Sequence, residues 1–152
     1  KRIIEISNRS NIPIFVDPKG SDWHKYQNAN LITPNTKEAE AILGQKLEND
    51  KAFETAGEKI CSDFDIEACL ITRGCEGMSF LSKNNIFHLK SYAKEIFDVS
   101  GAGDTVISAM AVGLIMNLTF RQAAEFSNKA AGIVVGHIGT SAITTDQLLN
   151  LE

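Results

Sequence analysis

The residues best suited to chemistry in this chain are Gly101, Ala102, Gly103 and Asp104. Two glycines around one alanine let the backbone turn tightly and let a ligand approach it closely. A long apolar stretch at residues 105–116 follows at once and predicts a buried helix. Because a helix N-terminus presents backbone N–H groups and the positive end of the helix dipole, this turn predicts an anion site.

Asp104 falls in the first turn of that helix, where a carboxylate would repel the anion that the turn attracts. Its presence makes sense if it takes a proton from a hydroxyl that then attacks a phosphoryl group. The structural alternative is an ordinary turn, because aspartate favours a helix N-terminus by itself. Two better-known phosphate-binding motifs are absent from the sequence. The Gly-Lys-Ser/Thr of a P-loop does not occur, and Val106 stands where a dinucleotide-binding motif needs its third glycine.

Buried strands and helical patterns alternate along the chain and predict a layered α/β fold. Apolar runs predict strands at residues 12–16, 29–33 and 68–72, with an antiparallel hairpin at about 78–89. Helical spacing of apolar residues predicts three further helices. The first covers residues 35–43 and ends at Gly44, the second covers residues 53–64 with Asp50 as its expected cap, and the third begins after Thr119. We therefore expect a mostly parallel sheet flanked by helices.

Several polar residues follow the predicted strands, at the edge where ligands bind in open α/β sheets. Asn35 and Glu38 have the spacing of a capping box, and this role does not exclude a ligand contact. Lys19 follows the first strand and is either a phosphate contact or an ordinary surface lysine. Thr72 ends the third strand, and Gly74 and Gly77 follow it with a spacing that also fits a glycine-rich hairpin turn. At all six of these positions, a ligand contact and an ordinary structural role both stay open.

Composition narrows the class of protein. The chain has 152 residues, 43% of them hydrophobic and 22% charged, which predicts at most one globular domain. A net charge of −4 argues against a nucleic-acid surface, and no apolar run is suited to span a membrane. Three cysteines without Cys-x-x-Cys spacing favour reduced thiols over a disulfide framework or a zinc site. The chain begins with Lys1, so we expect a piece of a longer protein.

The segment 98–105, Asp-Val-Ser-Gly-Ala-Gly-Asp-Thr, resembles the C-terminal signature of the ribokinase-like (PfkB) sugar kinases. A narrower resemblance, to the kinase domain of the ADP-heptose synthases, rests on residues 16–20 with Trp23 and Tyr26, residues 31–35, residues 134–136 and residues 139–141. It extends from about residue 12 to about residue 144 and covers only the C-terminal half of that kinase fold. It implies a ribokinase-like layered fold in which residues 1–152 are the nucleotide-binding C-terminal part of a longer kinase domain.

The resemblance implies an ATP-dependent sugar kinase that phosphorylates the 1-hydroxyl of D-glycero-β-D-manno-heptose 7-phosphate in lipopolysaccharide core synthesis. In the family the residue matching Asp104 is the catalytic base, and Gly101, Ala102 and Gly103 match the anion hole. Two alternatives stay open: another PfkB kinase acting on fructose phosphates, ribose or a nucleoside, or a non-catalytic nucleotide-binding module. The intact Asp104 argues against the last of these.

The same resemblance implies the cofactors and partners. Glu38 would help to hold Mg²⁺ through water, and the nucleotide would be bound by Lys19, Asn35, Thr72, Gly74, Gly77 and Asn128. The expected cofactors are ATP and Mg²⁺, with a monovalent cation as a third. The expected partners are ATP or ADP, a phosphorylated sugar, a second copy in a cytoplasmic homodimer and a fused nucleotidyltransferase domain. Residues 1–152 alone are expected to bind nucleotide weakly and to phosphorylate nothing.

Overall fold

In the computed structural model, structure is described for residues 1–93, 95–137, 139, 142–144 and 146–147. Helices occur at α1 (Arg2–Arg9), α2 (Thr36–Leu43), α3 (Asp50–Asp63), α4 (Ala102–Ile115) and α5 (Phe120–Val135). Strands occur at β1 (Phe15–Val16), β2 (Leu31–Ile32), β3 (Ala68–Thr72), β4 (Met78–Ser82) and β5 (Asn85–Leu89). The chain divides into two compact units: the sheet unit, residues 1–73 and 78–88, and the helix unit, residues 74–77 and the described residues from 89 onward.

The five strands form one mixed sheet in the order β1-β2-β3-β4-β5. β1, β2 and β3 are parallel neighbours, β4 runs antiparallel to β3, and a two-residue turn joins β4 to β5. This confirms the layered α/β fold with its hairpin. β1 is shorter than predicted, because the Ile14 amide donates to the Asn30 side chain at 2.9 Å instead of to the ladder, and Pro13 has no N–H.

The core of the sheet unit is apolar and lies where α2 and α3 pack on the sheet. Its largest members include Trp23, Ile32, Phe53, Ile60 and Ile71. α2 ends at Gly44, whose φ of 68° is the left-handed conformation that glycine adopts readily. α3 begins one residue earlier than predicted: Asn49, not Asp50, is the N-cap, and its side chain accepts a hydrogen bond from the Ala52 amide at 3.0 Å.

The helix unit is built on the packing of α4 against α5. Small residues allow close approach, and a Cβ added at Gly113 would lie 3.0 Å from the Ala123 side chain. The buried Ser127 hydroxyl donates to the Val106 carbonyl at 3.1 Å. The prediction that α4 is a buried helix is only partly right, because its residues Val112 and Ile115 are 49% and 71% exposed. None of the described helices combines the length and apolar character that a membrane crossing requires.

Candidate functional site

The anion turn, residues 101–104, opens α4 in the helix unit. Gly101 is the N-cap with φ 78°, and as a glycine it has no side chain that could cap the helix. Its carbonyl accepts from the Thr105 amide and hydroxyl, both at 2.9 Å, while the Ala102 amide donates to the carbonyl of Val99, which precedes the turn, at 3.2 Å. The predicted helix N-terminus is therefore present, and its glycine N-cap has no side chain to compete with an anion for the first amides.

Among the described residues, the backbone at Gly103 has open space beside it. Gly103 and Asp104 are both exposed, and a Cβ added at Gly103 would meet no atom of those residues within 4 Å. A ligand can therefore approach the backbone at Gly103 while the Asp104 carboxylate stays accessible beside it. The geometry suits an anionic group at the turn with a hydroxyl beside it.

Asp98 stabilises the backbone around the anion turn through hydrogen bonds. Its Oδ1 accepts from the Ser100 amide at 2.8 Å, and its Oδ2 accepts from the Gly139 amide at 3.1 Å. Hydrogen bonds from the Ser100 hydroxyl and amide, and then from the Gly139 amide, hold the pKa of Asp98 below its ordinary value. Sequence reasoning gave Asp98 no separate role, although the Asp-x-Ser spacing is a known local turn signal. Thr140 and Ser141, which belong to the narrower resemblance described above, lie outside the described residues.

Gly74, Gly77 and Asn128, the other nucleotide-site candidates of the helix unit, also have defined surroundings. Gly77 has φ 98°, and a Cβ there would lie 1.9 Å from the Leu89 carbonyl oxygen, so only glycine fits. Gly74 is also in the left-handed region, with φ 59°. The Asn128 amide nitrogen donates to the Lys90 carbonyl at 2.7 Å, a structural bond that the helical pattern could not reveal.

The sheet unit confirms the capping box of Asn35 and Glu38. The Glu38 amide donates to Asn35 Oδ1 at 2.9 Å, and the Asn35 amide donates to Glu38 Oε2 at 2.8 Å. Lys19 reaches the other Glu38 oxygen, Oε1, with its Nζ at 3.0 Å, and lies 3.1 Å from Asp17 Oδ2. The structure thus brings Lys19, Asn35 and Glu38 together and adds Asp17, which sequence reasoning did not single out.

The loop that carries Lys19 is held by the aromatic residues of the narrower resemblance. The Lys19 amide donates to the Tyr26 hydroxyl at 3.1 Å, and the Trp23 indole donates to the Gly20 carbonyl at 3.0 Å. The Lys19 side chain remains 68% exposed. Hydrogen bonds to Glu38 and then to Asp17 raise the pKa of its ammonium. The ammonium is therefore charged and able to reach a ligand.

Thr72 lies beside the capping box, because the sheet brings the ends of β2 and β3 together. A parallel bridge pairs Thr72 with Asn35. The Thr72 amide donates to the Pro34 carbonyl at 2.9 Å, and the Thr36 hydroxyl donates to the Thr72 carbonyl at 3.2 Å. Within the sheet unit, four predicted site residues, at positions 19, 35, 38 and 72, thus lie at or just after the carboxyl ends of three neighbouring strands.

The carboxylates of Asp17 and Glu38 suit a magnesium ion. Both bind the same ammonium group, so the fold already brings two hard oxygen donors to one cation. In the part of the chain that the structure describes, no group of three or more histidine, cysteine, aspartate or glutamate side chains could enclose a metal. Such a pair fits Mg²⁺, which commonly takes one or two carboxylates and fills its shell with phosphate and water oxygens.

The fold and these residues define a class of protein. The family model for pfkB family carbohydrate kinases matches residues 1–147, and the chain belongs to this family. Among curated relatives, "Bifunctional protein HldE" of Pasteurella multocida is 44% identical over 151 residues, which is 99% of this chain and 32% of that protein. The chain thus spans about a third of the length of the curated relatives it matches.

Solved structures show the same fold at low sequence identity. Arabidopsis thaliana ribokinase, solved with ribose and ATP, has a TM-score of 0.89 at 20% identity, covering 99% of this chain and 50% of that one. Escherichia coli phosphofructokinase-2, solved with potassium, has a TM-score of 0.87 at 21% identity, with the same 99% and 50% coverage. The predicted ribokinase-like fold is confirmed.

Proposed function

We propose that this chain is the nucleotide-binding part of an ATP-dependent kinase that phosphorylates the 1-hydroxyl of D-glycero-β-D-manno-heptose 7-phosphate. The observation that carries the proposal is Asp104, an exposed carboxylate in the first turn of a helix whose N-cap is a glycine. Family membership supports a sugar kinase. The identity of 44% to bifunctional HldE supports the narrower resemblance to the ADP-heptose synthases.

Asp104 is the general base in this proposal. Its carboxylate accepts the proton of the sugar hydroxyl as that oxygen attacks the γ-phosphorus of ATP. The transferred phosphoryl group binds at the anion turn, where the amides of Gly101, Ala102 and Gly103 stabilise its negative charge. The Ala102 amide also donates to the Val99 carbonyl. Oriented backbone donors stabilise such charge without reorganising during the reaction.

The remaining predicted residues bind the nucleotide. Lys19 turns its exposed ammonium from the two carboxylates to a phosphate, and Asn35 and Thr72 contact the nucleotide from the strand ends. Gly74 and Gly77 let the backbone approach the nucleotide, and Asn128 contacts adenine through its amide oxygen, because its amide nitrogen binds Lys90. Glu38, with Asp17, would hold Mg²⁺ partly through water, and the bound ion would neutralise phosphate charge.

Further cofactors and partners belong to the same proposal. A monovalent cation is a third cofactor, and the enzyme is a cytoplasmic homodimer. A nucleotidyltransferase domain is fused to the kinase domain to which residues 1–152 belong. The name of the relative HldE, which calls it bifunctional, and the coverage of only 32% of its length support the fused domain.

A substrate screen of the full-length protein tests the proposal. ATP is supplied with heptose 7-phosphate, fructose 6-phosphate, ribose or adenosine, and ³¹P NMR identifies the position of the new phosphate. We expect a 1-phosphate on heptose 7-phosphate and no comparable product from the others. Preferred turnover of another acceptor would favour a different PfkB kinase, and nucleotide binding without any product would favour a non-catalytic module.

A further inference from the structure

Outside the proposed site, the sheet unit contains a chain of hydrogen-bonded side chains that we name the Ser79 network: Arg73, Ser79, His88 and Glu54. Arg73 Nη1 lies 3.2 Å from Ser79 Oγ, and Ser79 Oγ lies 2.9 Å from His88 Nδ1. His88 Nε2 in turn lies 3.4 Å from Glu54 Oε1. Strand alternation predicts a surface position for His88, whereas its side chain is only 25% exposed.

The direction of these hydrogen bonds follows from the chemistry of arginine. A guanidinium can only donate, so Ser79 Oγ accepts from Arg73. The Ser79 hydroxyl hydrogen is then available to His88, whose Nδ1 accepts it. His88 Nε2 therefore carries the ring hydrogen and faces the Glu54 carboxylate. All four side chains are consistent with one direction of donation, from Arg73 to Glu54.

Serine, histidine and a carboxylate in this order are also the members of a nucleophilic triad. Ser79, however, is completely buried, with 0% of its surface exposed. Its oxygen also accepts from Arg73, so no substrate can reach it. A chain of hydrogen-bonded side chains around a buried hydroxyl makes its surroundings rigid rather than reactive.

The residue that this network holds is Arg73, which lies just beyond the end of β3. Thr72 and Met78 form the last pair of the β3–β4 ladder, so the ladder itself does not fix Arg73. Its side chain, 10% exposed, also binds Asp50 Oδ1 at 2.5 Å, and its guanidinium lies 4.2 Å from the centre of the Phe53 ring. Several independent contacts therefore hold the residue that directly precedes Gly74.

We propose that Ser79 and His88 are positioning residues for nucleotide binding, which act through Arg73 on the loop that starts at Gly74. The proposal rests on the proposed function, in which Gly74 and Gly77 contact the nucleotide. Loss of the Ser79–His88 bond leaves Arg73 with a less rigid partner and widens the range of loop conformations in the absence of nucleotide. ADP must then select among more conformations, so its affinity falls.

The test is calorimetric titration of ADP into the full-length protein and its variants, with a melting temperature for each. His88→Leu and Ser79→Ala remove the bond, and we expect each to weaken ADP binding about fivefold, the effect of one net hydrogen bond. His88→Asn should retain wild-type ADP affinity, because the asparagine Oδ1 can accept from Ser79. It removes the ring N–H that His88 donates to Glu54, so the melting temperature should fall. Thr55→Ala, which removes an exposed hydroxyl from the same helix as Glu54, is the control.

A purely structural role would make affinity follow stability in all variants. Wild-type ADP affinity in His88→Leu and Ser79→Ala would overturn the proposal, as would equal losses in His88→Leu and His88→Asn. If His88→Leu fails to fold, Ser79→Ala against Thr55→Ala decides the question. Absence of ADP binding by the wild-type protein would instead contradict the proposed function, so the two failures are distinguishable.

Discussion

The ammonium nitrogen of Lys19 lies 3.0 Å from Oε1 of Glu38, a residue whose other carboxylate oxygen caps its own helix. One carboxylate therefore serves two roles that the sequence left as alternatives, a helix cap and a partner for a charged group. Because Lys19 and the helix cap use different oxygens of Glu38, a ligand can replace Lys19 at Oε1 without breaking the cap at Oε2.

Glu38→Gln separates these two roles. Glutamine can still accept from the Asn35 amide through its carbonyl oxygen, so α2 should remain intact. It offers a weaker, uncharged ligand to Mg²⁺, so the Mg²⁺ concentration that gives half-maximal kinase activity should rise. Magnesium titrations at saturating ATP, with circular dichroism as a check on the helix, measure both effects.

Glu40→Gln is the matched control, because Glu40 lies on the same helix and pairs with Lys46 at 2.8 Å. It should leave the magnesium requirement unchanged. An equal response of the two variants, or none in Glu38→Gln, would leave Glu38 as a helix cap only.

Gly103→Ala tests the anion turn. The added methyl group meets no atom of the part of the chain that the structure describes within 4 Å, and alanine is favoured over glycine in a helix by about 1 kcal/mol. The melting temperature should therefore stay the same or rise. If a phosphoryl group occupies the turn, the methyl group displaces it, and kcat should fall about 100-fold, as expected for a misplacement of about 1 Å. Ser108→Ala, at an exposed position on the same helix, is the control. Unchanged kcat in Gly103→Ala would show that the turn binds no reacting group.

Asp98→Asn should change the pH dependence of stability. The pKa of Asp98 is lower in the folded protein, so its stabilising effect is complete above its ordinary pKa of 3.8 and is lost as the pH falls through the lower folded value. The difference in the free energy of unfolding between wild type and Asp98→Asn should therefore be largest near neutral pH and shrink in acid. Urea unfolding over a range of pH measures it, and a difference that stays constant below the ordinary pKa would contradict this role.

Local features of the fold were predictable because they depend on residues three or four positions apart. The capping box of Asn35 and Glu38, the end of α2 at Gly44 and the start of α5 after Thr119 are all confirmed. β3 was also predicted at its observed bounds, because its apolar run has clear ends at a polar residue and an arginine.

Contacts between distant residues were not predictable from the same patterns. The pairing of Lys19 with Glu38 joins the loop after β1 to the first turn of α2, and the bond from Ser79 to His88 depends on the register of neighbouring strands. The exposed side of α4 was also missed, because a helix that is apolar all round does not indicate which face lies against a neighbour. Val112 and Ile115 are on that exposed side.

The most direct test of the central claim is kcat of Asp104→Asn in the full-length protein, measured with ATP and heptose 7-phosphate. Asparagine has nearly the same shape and cannot take the proton, so kcat should fall about 10²–10⁴-fold, the usual cost of losing a general base. The exposed position of Asp104 predicts that the fold and the affinity for ADP stay unchanged. Turnover near the wild-type value would mean that Asp104 only favours the start of α4 and would contradict the proposed mechanism.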